Sequence, residues 1–256
     1  MGIHTVGARS EGDVILGYDS FRPSTFVDAF RFMYDNPSLM WTKIVEHLAI
    51  SGEAMGIALL IAIPLGIWLG HLHRGSFLAI NLANIGRALP SLAVIAIGLG
   101  VFGIGTTNVV FALVILAFPL MLTNAYVGVD GVDPDAIEAA RGMGMRPHQI
   151  VLKIELPLAL PLIFAGIKTA AVYVVATATL GGVVGGGGLG DIIVNQASYF
   201  LKGVIAASIA VAVLAFAASF AFGLLQWAVT PRGLRRRGIE MIELDVSTGV
   251  AEAATT

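Results

Sequence analysis

One polar segment of this 256-residue chain has residue types and spacing that could do work: Asp130-Gly-Val-Asp-Pro-Asp-Ala-Ile-Glu-Ala-Ala-Arg-Gly-Met-Gly-Met-Arg-Pro147. Asp133 can cap a helix, Pro134 fits its first turn, and Asp135 with Glu138 complements the positive end of the helix dipole. Gly142 and Gly144 end that helix after about two turns, and Pro147 opens another segment. Ala136, Ala139 and Ala140 leave it slim. Such a helix is either a solvated loop helix or one that enters a groove on another protein, and the physics alone favours neither.

The remaining candidates are scattered. Lys168 and Glu53 are charges inside apolar stretches, where a charge costs about 2.5–3.5 kcal/mol at a helix centre unless it snorkels or faces protein or water. Lys168 reads as a snorkelling residue or a gate. Glu53 reads as a partnered interface residue or an attractor of quaternary ammonium ions. Tyr173 either packs or offers a cation–π face. His71 and His73, two apart on a helix, point to different sides and read as interfacial residues, with no metal site expected. Residues 181–190 hold seven glycines, but no Gly-Lys-Ser/Thr follows, so the run reads as a flexible external hinge beside a pathway and not as a phosphate cradle. No catalytic constellation is visible, and the chain lacks a nucleotide-binding motif.

The elements that must position these residues are membrane helices. Of the chain, 57% is hydrophobic and 12% charged, with a mean hydropathy of +0.86. A soluble domain keeps about a quarter of its residues charged. No Asp, Glu, Lys or Arg occurs in residues 54–70, 88–129, 169–190 or 203–231. A membrane crossing needs about 20 apolar residues, so 88–129 suffices for two passes with a turn at 103–107. Five spans follow, at 38–70, 83–102 (interrupted by Pro90), 108–129, from Pro157–Pro161 to near Gly181, and 203–230. The first is longer than the bilayer core requires, so its beginning stands outside. Small residues at four-residue spacing, Gly52/Gly56, Gly66/Gly70 and Ala206/Ala210, predict close helix approach or a subunit interface.

Basic residues orient the bundle. Arg74, Arg87, Arg141, Arg146, Lys153, Arg232, Arg235, Arg236 and Arg237 lie on one side. The opposite loops hold Lys202, and the long N-terminal tail holds Arg9, Arg22, Arg31 and Lys43, interspersed with Asp28, Asp35 and Glu46. Positive residues near span ends favour the cytoplasm, which places the N-terminus outside and the C-terminus inside. Residues 1–36 read as an extracytoplasmic tail with an interfacial helix, on which Phe26, Phe30, Met33 and Tyr34 oppose Asp28 and Arg31. Residues 37–231 form the all-α transmembrane domain, and 232–256 a cytoplasmic tail with no apolar period long enough to pack. No cleavable signal precedes the first span, and the absence of cysteine excludes a disulfide scaffold.

Glu138-Ala139-Ala140, three residues, Gly144, nine residues, then Ile154-x-Leu156-Pro157 resembles the EAA signature of ABC importer permeases. Leu89-Pro90-Ser91-Leu92-Ala93, Gly131-Val132-Asp133-Pro134, residues 140–145, Gly187-Gly188-Leu189-Gly190-Asp191 and Thr230-Pro231-Arg232-Gly233-Leu234 look like the osmoprotectant branch, over residues 36–234. The glycine run is shared with methionine permeases, Arg87-Ala-Leu-Pro also fits them, and Glu53 is not expected of the osmoprotectant branch. The resemblance implies that Asp133, Pro134, Glu138, Ala139, Ala140, Arg141, Gly142, Met143 and Gly144 form a coupling helix docked on a separate ATPase dimer, which binds ATP and Mg; this chain binds no cofactor. It further implies a second permease subunit, an extracytoplasmic substrate-binding protein, a bacterial cell membrane, and no nucleic acid. The solutes implied are glycine betaine, choline, carnitine or proline betaine, with methionine or another amino acid as the alternative. An ion-coupled secondary transporter would want paired intramembrane charges and internal repeats, and Lys168 and Glu53 stand on different spans.

Overall fold

The computed structural model describes residues 24–73 and 76–230, and among them no strand occurs. The readings made for the chain before Ser24 and beyond Thr230 fall outside these residues. In chain order the helices are α1 (Ser24–Asp35), α2 (Pro37–His71), α3 (Ser76–Ala88), α4 (Ser91–Phe102), α5 (Thr106–Asp130), α6 (Pro134–Gly142), α7 (Pro147–Ile150), α8 (Leu156–Thr177), α9 (Leu189–Val194) and α10 (Gln196–Val229). A π-helical turn, Val151–Glu155, joins α7 to α8, and a 3₁₀ stretch, Ala178–Val184, follows α8.

Four segments are long and apolar enough to cross a membrane: Pro37–His71, Thr106–Asp130, Pro147–Val184 and Gln196–Val229. The remaining expected span is divided between α3 and α4. Pro90 has φ −68° and ψ 117°; it donates no hydrogen bond and disfavours helix in the residue before it, so the helix breaks there. Span 4 also differs from its sequence reading. Its helix begins at Pro147, not at Pro157, because the π turn absorbs the proline: Leu156 N–H bonds to Val151 O, five residues back. The last span begins later than α10 itself, since Phe200, at φ 56° and ψ 174°, breaks the helix just before Leu201.

α5 sits at the centre. Ala54, Ala58 and Ala62 of α2 face Leu113, Ala117, Met121 and Ala125 of α5, which pack in turn on Ile163, Ile167, Ala170 and Val174 of α8. Two glycines explain how closely α2 approaches. A β-carbon on Gly66 would stand 2.7 Å from Ala125 Cβ and 2.8 Å from Leu122 O, and one on Gly70 would stand 2.8 Å from Val129 Cβ. The Gly66/Gly70 pair is therefore an internal helix contact. Gly52 and Gly56 have nothing within 4 Å. α1 packs Ala29 and Phe32 onto Ala206 and Ala207 of α10 and leaves Phe26, Phe30 and Tyr34 exposed. A third face thus fixes it to the bundle.

Candidate functional site

The acidic segment folds as its residues require. The Asp133 side chain accepts from Asp135 N–H at 3.0 Å, with Pro134 at the first helical position. At the other end Gly144 adopts φ +78°. Its N–H bonds to Arg141 O at 2.9 Å, and Met145 N–H bonds to Ala140 O at 3.1 Å. This double closure is a Schellman motif, with glycine where φ must be positive. Ile137 and Ala140 turn inward onto Val132, Ile150, Met145 and Ile154. Ala140, 1% exposed, therefore belongs to the underside of α6, and the expected slim outer surface is supplied by exposed Ala139 and half-buried Ala136. Asp133, Pro134, Glu138, Arg141, Gly142 and Met143 stand outward. Met143 is 74% exposed, a flexible apolar tip at the end of a polar helix.

Two histidine–carboxylate contacts join this loop to α2. His71 donates through Nδ1 to Glu155 Oε1 and Oε2, at 2.9 and 2.8 Å. His73, at φ 47°, donates to Asp130 Oδ1 at 2.9 Å. No carboxylate lies near either histidine in sequence; folding brings both in, from α5 and the π turn. The two pairs are separate, and among the described residues no group of three His, Cys, Asp or Glu could hold a metal ion.

The opposite end of the bundle carries a second polar assembly that the sequence reading missed. Lys43 bridges Glu46 and Asp191 at 2.8 Å each, and Glu46 accepts from Gly188 N–H at 2.9 Å. The buried ring of His47 lies 2.9 Å from Val175 O through Nε2, at the place where α8 is about to tighten into the 3₁₀ stretch. Gly185, Gly187 and Gly188 all have positive φ, and a β-carbon on Gly188 would lie 3.1 Å from His47 Nδ1. The glycine run is thus a shaped strap clamped to α2, not a free hinge. Its one legible signal was Asp191 in Gly-Gly-Leu-Gly-Asp.

The three pathway candidates lie apart. Glu53 is exposed on α2. Tyr173 packs with Leu89, Val94, Ile95, Ala112 and Leu116, as aromatic residues in spans usually do. Lys168 borders a cavity with Phe216, Ser219, Phe220, Gly223 and Leu224.

Comparison with known proteins agrees with this architecture. The sequence model of the family described as "Binding-protein-dependent transport system inner membrane component" matches residues 62–234. The choline transport system permease protein OpuBB of Bacillus subtilis is 35% identical over 207 residues, covering 80% of this chain and 95% of that protein. The carnitine transport permease protein OpuCB of Listeria monocytogenes is 36% identical, covering 80% and 94%. The osmoprotectant import permease protein OsmW of Salmonella typhimurium is 30% identical, covering 82% and 100%. Among solved structures, an inward-facing MetNI methionine ABC transporter superposes with a TM-score of 0.64 at 24% identity, over 77% of this chain and 99% of that one; at that identity the likeness concerns the fold. The chain is a multi-pass membrane protein, and it belongs to the family of binding-protein-dependent transport system inner membrane components.

Proposed function

We propose that this chain is the permease subunit of an ATP-driven importer of osmoprotectants of the glycine betaine, choline, carnitine and proline betaine type. The observation that carries the reading is α6, a short helix closed at both ends, braced from beneath, and presenting Glu138, Ala139, Arg141 and Met143 outward. A surface helix built so rigidly around so small a core is suited to transmit force, and the names of the relatives supply the solute class. In this reading two ATPase subunits bind ATP and Mg, close, and push on residues 133–144 of each of two permease subunits. The His71–Glu155 and His73–Asp130 contacts pass that push to α2 and α5, and the pathway opens alternately to the two sides. An extracytoplasmic binding protein delivers solute on the side of the Lys43–Asp191 strap, and the N-terminus lies on that same side. No residue here performs covalent chemistry; the coupling is mechanical.

The test is uptake into proteoliposomes containing this chain with its ATPase and binding protein, using labelled glycine betaine, choline, carnitine and methionine. ATP-dependent accumulation of the quaternary ammonium solutes is expected. Accumulation of methionine alone would move the chain to the amino-acid importers, and uptake driven by an ion gradient without ATP would remove it from this class altogether.

A further inference from the structure

Lys168 lies midway along α8, and its ammonium group points to α10. Its Nζ is 3.6 Å from where a β-carbon on Gly223 would stand. Gly223 precedes the end of α10 at Val229 by a distance of about 9 Å at 1.5 Å per residue. Among the described residues Lys168 has no ion pair, hydrogen bond or cation–π contact. An unpaired charge within a span is tolerated where it faces protein or water, and such residues mark solute pathways.

Its surroundings narrow the chemistry. The cavity holds about 230 Å³ and is lined, besides Lys168, by Phe216, Ser219, Phe220, Gly223 and Leu224 of α10. Phe216 and Phe220 are one helical turn apart and largely exposed, so their rings are free to receive a ligand. Along α10 the cation of Lys168 stands beside Gly223 at one end of the site and the ring of Phe216 at the other, with the hydroxyl of Ser219 and the ring of Phe220 between them. We propose that this cavity is a transit site for zwitterionic solutes, in which Lys168 and Ser219 hold a carboxylate and Phe216 with Phe220 hold a quaternary ammonium group through cation–π attraction. Resting on the osmoprotectant reading, this assigns preference within it: a betaine or carnitine uses both ends, whereas choline, with no carboxylate, meets Lys168 as a like charge.

The experiment compares uptake of glycine betaine and choline by the full transporter carrying Lys168→Gln, Lys168→Arg or Phe220→Ala, in vesicles of phosphatidylcholine with and without phosphatidylglycerol. Loss of a charge-assisted hydrogen bond corresponds to about tenfold or more in affinity, so Lys168→Gln is expected to lower the preference for betaine over choline by at least that factor. Lys168→Arg retains the preference, and Phe220→Ala raises the half-saturation for both solutes. Equal losses for the two solutes in Lys168→Gln, or no loss, overturn the inference while leaving the transporter an osmoprotectant importer. So does a defect seen only with phosphatidylglycerol, which would make Lys168 a partner for lipid phosphate. Transport of neither solute by the unaltered complex overturns the functional reading, and this inference with it.

Discussion

The imidazole of His71 donates through Nδ1 to both carboxylate oxygens of Glu155, at 2.9 and 2.8 Å, tying the last turn of α2 to the π turn that leads out of the loop carrying α6. Glu155 is 1% exposed, so its carboxylate has exchanged water for this partner. Removing His71 leaves a buried acceptor uncompensated, at a cost of about 1–3 kcal/mol. His71→Leu and Glu155→Leu are each expected to lower the thermal midpoint of the purified chain. The double variant is expected to recover much of it, because a matched apolar pair replaces the polar one. ATP-driven uptake stays impaired in all three if the contact carries the push from α6. Full uptake by the stable double variant would confine the pair to a structural role.

Small-residue spacing makes a second, internal contrast. Gly66 is pressed against α5, with the position of a β-carbon 2.7 Å from Ala125 Cβ, whereas Gly52 meets nothing within 4 Å. Gly66→Ala must therefore separate two helices that the core holds together, which typically costs about 1–3 kcal/mol. Gly52→Ala leaves the isolated subunit unchanged. Thermal unfolding of both variants in detergent checks this, and equal stability would mean that α2 and α5 are not packed as described.

Much of this architecture was legible because the bilayer enforces simple patterns. Apolar length located the spans, Pro90 located the break between α3 and α4, and Asp133-Pro134 with Gly144 located both ends of α6. What escaped were pairings between residues far apart in sequence: Lys43 with Asp191, His47 with Val175, His71 with Glu155. Local periodicity contains no information about such partners. Pro157 misled for a related reason, since a proline that usually starts or stops a helix can be accommodated inside one by a π turn. Ala140 belongs to the EAA signature, yet no feature of its spacing told an outward alanine from an inward one.

Orientation is open to direct measurement. Arg141, Arg146 and Lys153 lie at the end of the bundle that carries α6, and the sequence assigns Arg74, Arg87, Arg232, Arg235, Arg236 and Arg237 to the same side, which predicts that this end is cytoplasmic. A cysteine replacing exposed Arg146 is expected to react with a membrane-impermeant maleimide only from the cytoplasmic side. One replacing exposed Ser198 is expected to react only from outside. The chain has no native cysteine to confuse the assay. Reversed labelling would place α6 outside the cell and leave it with no ATPase to meet.

The sharpest test of the proposed coupling role of α6 separates the helix's own fold from a partner's surface. Gly144 has φ +78° and no neighbouring atom within 4 Å of a β-carbon placed on it. Within this chain a side chain there meets backbone strain alone, about 1–2 kcal/mol for an ordinary residue and less for asparagine. Gly144→Asn is therefore expected to preserve α6 and the stability of the chain. A groove on the ATPase closing around the α6 tip would still reject it, together with the bulkier and charged Gly144→Asp. Both variants are thus expected to reach the membrane, to lose ATPase recruitment in a pull-down, and to lose uptake, with Gly144→Asp the more severe. Glu138→Ala removes one outward carboxylate from the middle of the helix and is expected to weaken recruitment less. Unimpaired recruitment and uptake in Gly144→Asp would mean that the outer face of α6 is solvated and that the ATPase docks elsewhere.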